Sequence, residues 1–231
     1  MEQRSVATSE VLIASTVSSR SIDVSDFIHT PCYCEENVYQ LCKTLSSIGV
    51  ADADGSDLFV VFISNDNKKV PLWHQKASKQ ADGFIIWDYH VVCIQKNVEG
   101  KSSRRVWDLD SDLPFPSSLS QYISEAIQPS LQIHPEFRRF FRVVHAPLFL
   151  RFFASDRRHM KDSLGEWIAH PPTYEPIFCE DGTVHNLDVY VKFGEGDVRD
   201  IGRDLVDKIF SEKYGVVLSE SQLEEFFSLI P

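Results

Sequence analysis

The chain has 231 residues, 43% of them hydrophobic, 12% aromatic and 25% charged; this is ordinary globular usage and excludes a disordered, collagen-like or coiled-coil chain. A net charge of −11, from 34 acidic against 23 basic residues, removes the sequence-independent attraction that drives nucleic-acid binding, so no nucleic-acid partner is expected. The longest apolar run, Leu58 to Ile63, falls far short of the ~20 residues a membrane-spanning helix needs.

Residues 1–28 are rich in Ser, Thr and Val without a lasting helical or strand period and read as a mobile leader ahead of a single domain over 29–231. The short apolar run Val11 to Ala14 cannot serve as the core of a secretory signal, and five cysteines suit free thiols in a reducing compartment. A cytoplasmic or nuclear address is expected, and a monomer. From Cys34 onward, Val38, Leu41, Cys42 and Leu45 trace one helical stripe ending near Gly49, with Cys34 in the first turn. Asp57 to Ser64 reads as a buried strand, with Val70 to Trp73 returning as its hairpin partner. Phe84 to Ile94 reads as a second strand opened by Gly83, and Val106 to Leu109 as its partner across the polar turn Asn97 to Lys101. A helix is expected over Leu119 to Ile127 and a strand over Phe141 to Val144. After the irregular stretch holding Pro171, Pro172 and Pro176, further short elements fall within Val184 to Val191 and Val206 to Val217. Strands and helices mix irregularly, so the fold class is α+β and not an alternating βαβ chain.

The second hairpin makes a geometric statement about chemistry. Facing residues of an antiparallel pair have a constant sum of positions, so a turn centred near Glu99 sets His90 opposite Asp108; moving that centre by one residue brings Asp110 there instead. A carboxylate beside an imidazole orients the ring, fixes its tautomer and stabilises the imidazolium, as a general base requires. Cys34 at a helix tip gains thiolate character from unpaired N–H groups. Glu35 and Glu36 would oppose this, but helical spacing turns them about 100° and 200° away. Cysteine at a helix start, then histidine and aspartate on adjacent strands, is similar to the papain and transglutaminase arrangement. The competing readings are a small core cysteine with a structural His–Asp pair, or a metal site of Cys32, Cys34 and Cys42 with His29. The metal reading lacks the second C-x₂₋₄-C knuckle that structural zinc sites bring. In Phe152 to Met160, Ser155 and Asp156 stand equally for a helix cap or for substrate contact.

Four blocks carry a wider likeness: Cys32-Tyr33-Cys34-Glu35-Glu36-Asn37; Trp87-Asp88-Tyr89-His90; Asp108-Leu109-Asp110 running into Leu113-Pro114-Phe115-Pro116; and Phe153-Ala154-Ser155-Asp156-Arg157-Arg158-His159-Met160. Together they resemble the protein N-terminal glutamine amidohydrolase family, with a poorer match before Thr30 and over Lys192 to Lys213. The resemblance implies an α-β-α sandwich with a papain/transglutaminase-like core, the nucleophilic cysteine at a helix N-terminus packed on a mostly antiparallel sheet. It implies a hydrolase that converts the N-terminal glutamine of proteins to glutamate with release of ammonia, upstream of an arginyltransferase in the N-degron pathway. The family's triad carries over onto Cys34, His90 and Asp108, the thiolate attacking the side-chain amide and the imidazolium protonating the leaving ammonia. No cofactor and no metal are implied. Reading a free ammonium calls for carboxylate acceptors, for which Glu36, Asp88 and Asp156 are candidates, with Ser155 beside them. The alternatives are a cysteine protease, a transglutaminase-type acyl transferase, or a catalytically dead binding module for N-terminal residues.

Overall fold

The computed structural model describes residues 22–96 and 104–231. Helix α1 (Cys34–Ser47) precedes strands β1 (Leu58–Ser64), β2 (Val70–Leu72), β3 (Ile85–Trp87), β4 (His90–Gln95), β5 (Arg105–Trp107) and β6 (Ser117–Ser118). Helix α2 (Leu119–Tyr122) runs into a π-turn over Ile123–Ile127, and then come β7 (Phe140–His145), α3 (Ala146–Phe152), α4 (Leu187–Val191), α5 (Arg203–Lys208), β8 (Val216–Ser219) and α6 (Leu223–Leu229). Six strands form one antiparallel sheet in the order β6-β5-β4-β1-β7-β8, with β1 between β4 and β7. This is the expected α+β class with a mostly antiparallel sheet.

Strand β1 shows why the sheet is covered on both sides. All seven of its residues are buried, as a central strand between two layers must be. Phe59, Val61 and Ile63 pack into one core with Phe226 and Phe227 of α6 and Leu205 of α5. Leu58, Val60 and Phe62 pack into another with Val38, Leu41 and Leu45 of α1, Phe149 of α3 and Tyr190 of α4. The period of two thus sends alternate side chains into opposite layers. Among the described residues no helix is long and apolar enough to cross a membrane.

Three expectations change. Val70 to Trp73 does not return beside β1: β2 pairs with β3 in a separate two-stranded sheet, and β1 takes β4 and β7 as neighbours. The run from Phe84 to Ile94 is two strands, broken at Asp88, whose own carboxylate accepts the Tyr89 N–H at 2.9 Å and so removes it from the ladder. The leader does not extend to residue 28. Asp23 caps a 3₁₀ turn at Val24–Asp26, and Phe27 is buried with its ring 5.5 Å from Phe115 and 6.3 Å from Trp107.

Candidate active site

A cavity of about 660 Å³ opens between the tip of α1 and the start of β4, and Cys32, Cys34, Asp88, His90 and Asp110 all line it. His90 is the first residue of β4, paired with Ile63 and 1% exposed. The pairs Cys93–Trp107, Ile94–Val106 and Gln95–Arg105, extended along the strands, would set His90 opposite Asp110 rather than Asp108. The expected turn centre is therefore one residue off and the facing residue two; the expected turn, Asn97 to Lys101, lies outside the described residues. Yet the ladder stops at Trp107, and the chain leaving it brings the Asp108 carboxylate within 3.0 Å of His90 Nε2.

Asp108 is held from four directions. Oδ1 accepts from His90 Nε2 and from the Asp110 N–H at 3.0 Å; Oδ2 accepts from the Tyr122 hydroxyl at 2.8 Å and from Gln75 Nε2 at 3.5 Å. Burial pushes this carboxyl up, but the His90 charge and the hydrogen bonds from His90, Tyr122 and Asp110 outweigh it and hold Asp108 below its ordinary range. For His90 burial works against the imidazolium, and Asp108, by charge and by hydrogen bond, then Asp110, outweigh it and raise the ring above its ordinary value. Trp87 stacks on the imidazole at 5.6 Å and 14°, and its Nε1 donates to Gln75 Oε1 at 3.2 Å. Gln75 is positioned in turn by Gly83, at φ +68°: the Gln75 N–H donates to the Gly83 carbonyl at 3.0 Å, and a Cβ at Gly83 would fall 2.7 Å from the Gln75 nitrogen.

The helix side is built differently. Asn37 accepts from the Thr30 N–H and donates to the Thr30 carbonyl, both at 2.8 Å, which ties the incoming chain to the first turn of α1. Cys32 takes φ +69° on the way in. The Cys34 thiol then lies 3.8 Å from Glu35 Oε2, so Glu35 does not turn away as helical spacing predicts. Glu35 is fully buried, accepts the Tyr89 hydroxyl at 2.8 Å, and sets Oε1 3.3 Å from Nε2 of His159. Burial raises the Cys34 thiol well above its ordinary value; the charges of Glu35, Asp110 and Asp88 add to this, and the Val91 N–H works the other way.

The residues expected to contact substrate separate clearly. Asp88 lines the cavity; Glu36, Ser155 and Asp156 do not. Glu36 is fully buried and taken up by Arg157, whose Nε lies 3.1 and 3.2 Å from its two oxygens and whose Nη2 lies 3.0 Å from Oε2. The same guanidinium donates to the carbonyls of Pro172, Tyr174 and Glu175. Ser155 is buried and pairs its backbone with Ile177 in both directions, and Asp156 accepts the Arg158 N–H at 3.1 Å and stands 3.2 Å from His185 Nδ1. All three make contacts within the fold, and none of them lines the cavity. The alternative metal set is also dispersed: Cys42 is buried beside Cys93, 3.8 Å away, while Cys32 is exposed. His90, Asp108 and Asp110 do bring donor atoms within 4.8 Å of one another, but the four bonds on Asp108 use the lone pairs that an ion would need. Gln75 and Tyr122 escape the sequence reading, and His159 enters it only within the fourth block. Tyr122 could have been found on its helix, whereas nothing local points to Gln75.

The family model for N-terminal glutamine amidase matches residues 29–227, including the 192–213 segment that resembles the motif pattern least. The chain is 56% identical over 212 residues to protein N-terminal glutamine amidohydrolase of Arabidopsis thaliana, covering 91% of this chain and 96% of that one. It is 55% identical over 211 residues to the Oryza sativa protein of the same name, covering 91% of each chain. It is also 42% identical over 164 residues to the Bos taurus one, covering 71% of this chain and 76% of its relative. Fold and likeness together define an amide hydrolase. The chain belongs to the N-terminal glutamine amidase family.

Proposed function

We propose that the protein hydrolyses the side-chain amide of an N-terminal glutamine, giving glutamate and ammonia, with Cys34 as nucleophile, His90 as acid and base, and Asp108 as the orienting carboxylate. The observation that carries this reading is that His90, hydrogen-bonded to Asp108, lines one cavity with a cysteine at a helix tip. Asp108 occupies Nε2, which leaves Nδ1 to take the thiol proton. A thiol raised by its surroundings rests protonated, so His90 acts first as a base. The sulfur then attacks the amide carbon, and the Cys34 N–H at the helix start donates to the developing oxyanion. The imidazolium returns its proton to the amide nitrogen, ammonia departs, and a γ-glutamyl thioester remains. Water, deprotonated by His90, attacks the thioester; glutamate leaves and the thiol takes back its proton.

The same core placement supports the papain/transglutaminase-like description of the fold. For the substrate ammonium, Asp88 and Asp110 are the acceptors we propose, since both face the cavity that holds Cys34. We further propose a monomer working in the cytoplasm or nucleus, upstream of an arginyltransferase for which the new N-terminal glutamate is a substrate. The test is ammonia release from a peptide beginning with Gln and from its acetylated twin. Release from the first alone is expected, and equal rates overturn the reading. Shorter fragments in the mass spectrum would indicate a protease, and amine incorporation a transglutaminase.

A further inference from the structure

We propose that the substrate's ammonium, seated between Asp88 and Asp110, is also the switch that turns Cys34 into a nucleophile. The inference rests on the deamidation reading and adds a second task to the groups that would read the free N-terminus.

The geometry begins with the charges around the sulfur. From α1 itself comes Glu35, with Oε2 at 3.8 Å. The lead-in to β4 contributes Asp88 and Tyr89, and β4 itself His90. The chain beyond β5 contributes Asp108, whose Oδ1 is hydrogen-bonded to His90 Nε2, and Asp110, which lines the cavity. Cys32 on the approach to α1 and His159 opposite also face the cavity. The carboxylates of Glu35, Asp88 and Asp110 all oppose a negative sulfur.

These three carboxylates are not equivalent. Glu35 is fully buried, bonded to Tyr89 and set beside His159, beyond the reach of a ligand. Asp88 is exposed and Asp110 part-exposed at the cavity wall, where His29 touches Asp110 at 2.8 Å. The cavity also carries Asp66, Lys68, Asp188 and Lys192, but of the three carboxylates that act on the sulfur, a cation arriving here pairs with the two that a ligand can reach and cancels their field there. The thiol proton then passes to His90 Nδ1, and no further group is required. A chain end that is acetylated, or a glutamine inside a chain, brings no such cation; it is rejected both by unpaired acceptors and by a nucleophile left protonated. The free enzyme keeps its thiol protonated, which slows reaction with stray electrophiles.

The experiment follows the thiolate absorbance of Cys34 against pH, taken as the difference between the wild type and Cys34→Ser. The titration is run alone, with glycylglycinamide, which carries the ammonium and no side chain to cover the sulfur, and with N-acetylglycylglycinamide. With the free amine, the midpoint is expected to move down by about one unit, a tenfold rise in thiolate below it, and with the acetylated compound not at all. The double variant Asp88→Asn/Asp110→Asn is expected to start from the lowered midpoint and to respond to neither compound. Should the double variant fail to fold, the two wild-type titrations decide. No shift with the free amine overturns the switch, whether calorimetry finds that amine bound or not; an equal shift with both compounds does the same. Ammonia release from a Gln-initiated peptide, measured on the same preparation, reports separately on the deamidation reading, which survives a failed switch.

Discussion

The two walls of the cavity treat charge in opposite ways. On the strand wall, the Asp108 carboxylate receives four hydrogen bonds, one of them from His90, and both members of the pair are shifted toward their charged forms. On the helix wall, burial first, and then a carboxylate 3.8 Å from the sulfur, favour the neutral thiol. The difference teaches that burial alone does not decide ionisation: 1% exposure goes with an imidazole raised above its ordinary value because an opposite charge is 3.0 Å away, whereas Cys34 has three like charges around it. One wall is set before the substrate arrives, and the other waits for it.

The comparison can be broken from either side. Cys34→Ala should keep the fold and lower ammonia release by about 10⁶-fold, to background, as loss of a nucleophile does elsewhere. Asp108→Asn should cost about 10⁴-fold in kcat, on the order seen when an orienting aspartate is lost. It should also move the acidic limb of the kcat/KM profile to lower pH, because the largest influence raising His90 is gone; a limb that stays in place would detach Asp108 from the base. Arg157→Ala leaves Glu36 buried without its partner and should cost about 3–5 kcal/mol in denaturant unfolding. Glu35→Gln removes one charge beside the sulfur, and the thiol of the free protein should titrate about one unit lower. The smallest effect is on stability against pH. His90 is raised on folding, so its contribution is complete below about pH 6.5 and fades as pH climbs through the folded value. Asp108 is lowered, so its contribution is present above about pH 3.9 and lost on acidification through the folded value. The stability difference between wild type and His90→Gln should therefore peak between these limits.

Local pattern revealed the outline of this site and long-range pairing completed it. The apolar stripe from Val38 to Leu45 puts Cys34 at a helix tip because the period of the helix is written in neighbouring residues. The approach of His90 and Asp108 was legible as a hairpin even though the facing residue differs by two, since a carboxylate just past a strand end is free to turn back toward its partner. Glu35 was misread because an angle about the helix axis places the Cα, while the side chain that follows can swing back toward its neighbour. Arg157 reaches Glu36 across 121 positions, and Gln75 reaches Asp108 across 33; neither leaves a mark on nearby residues. The same limit explains β2, whose three apolar residues satisfy a partner on either side equally well until tertiary packing selects β3.

The grip of Arg157 on three successive parts of the proline-bearing stretch has a practical consequence. A segment that composition would assign to a linker is clamped to the first turn of the cysteine-bearing helix. A protease needs its target drawn out into an extended strand, and here that would mean breaking the clamp and baring a buried carboxylate at once. Limited digestion should spare residues 171–176, and nicks there should appear only in preparations whose active cleft has already come apart.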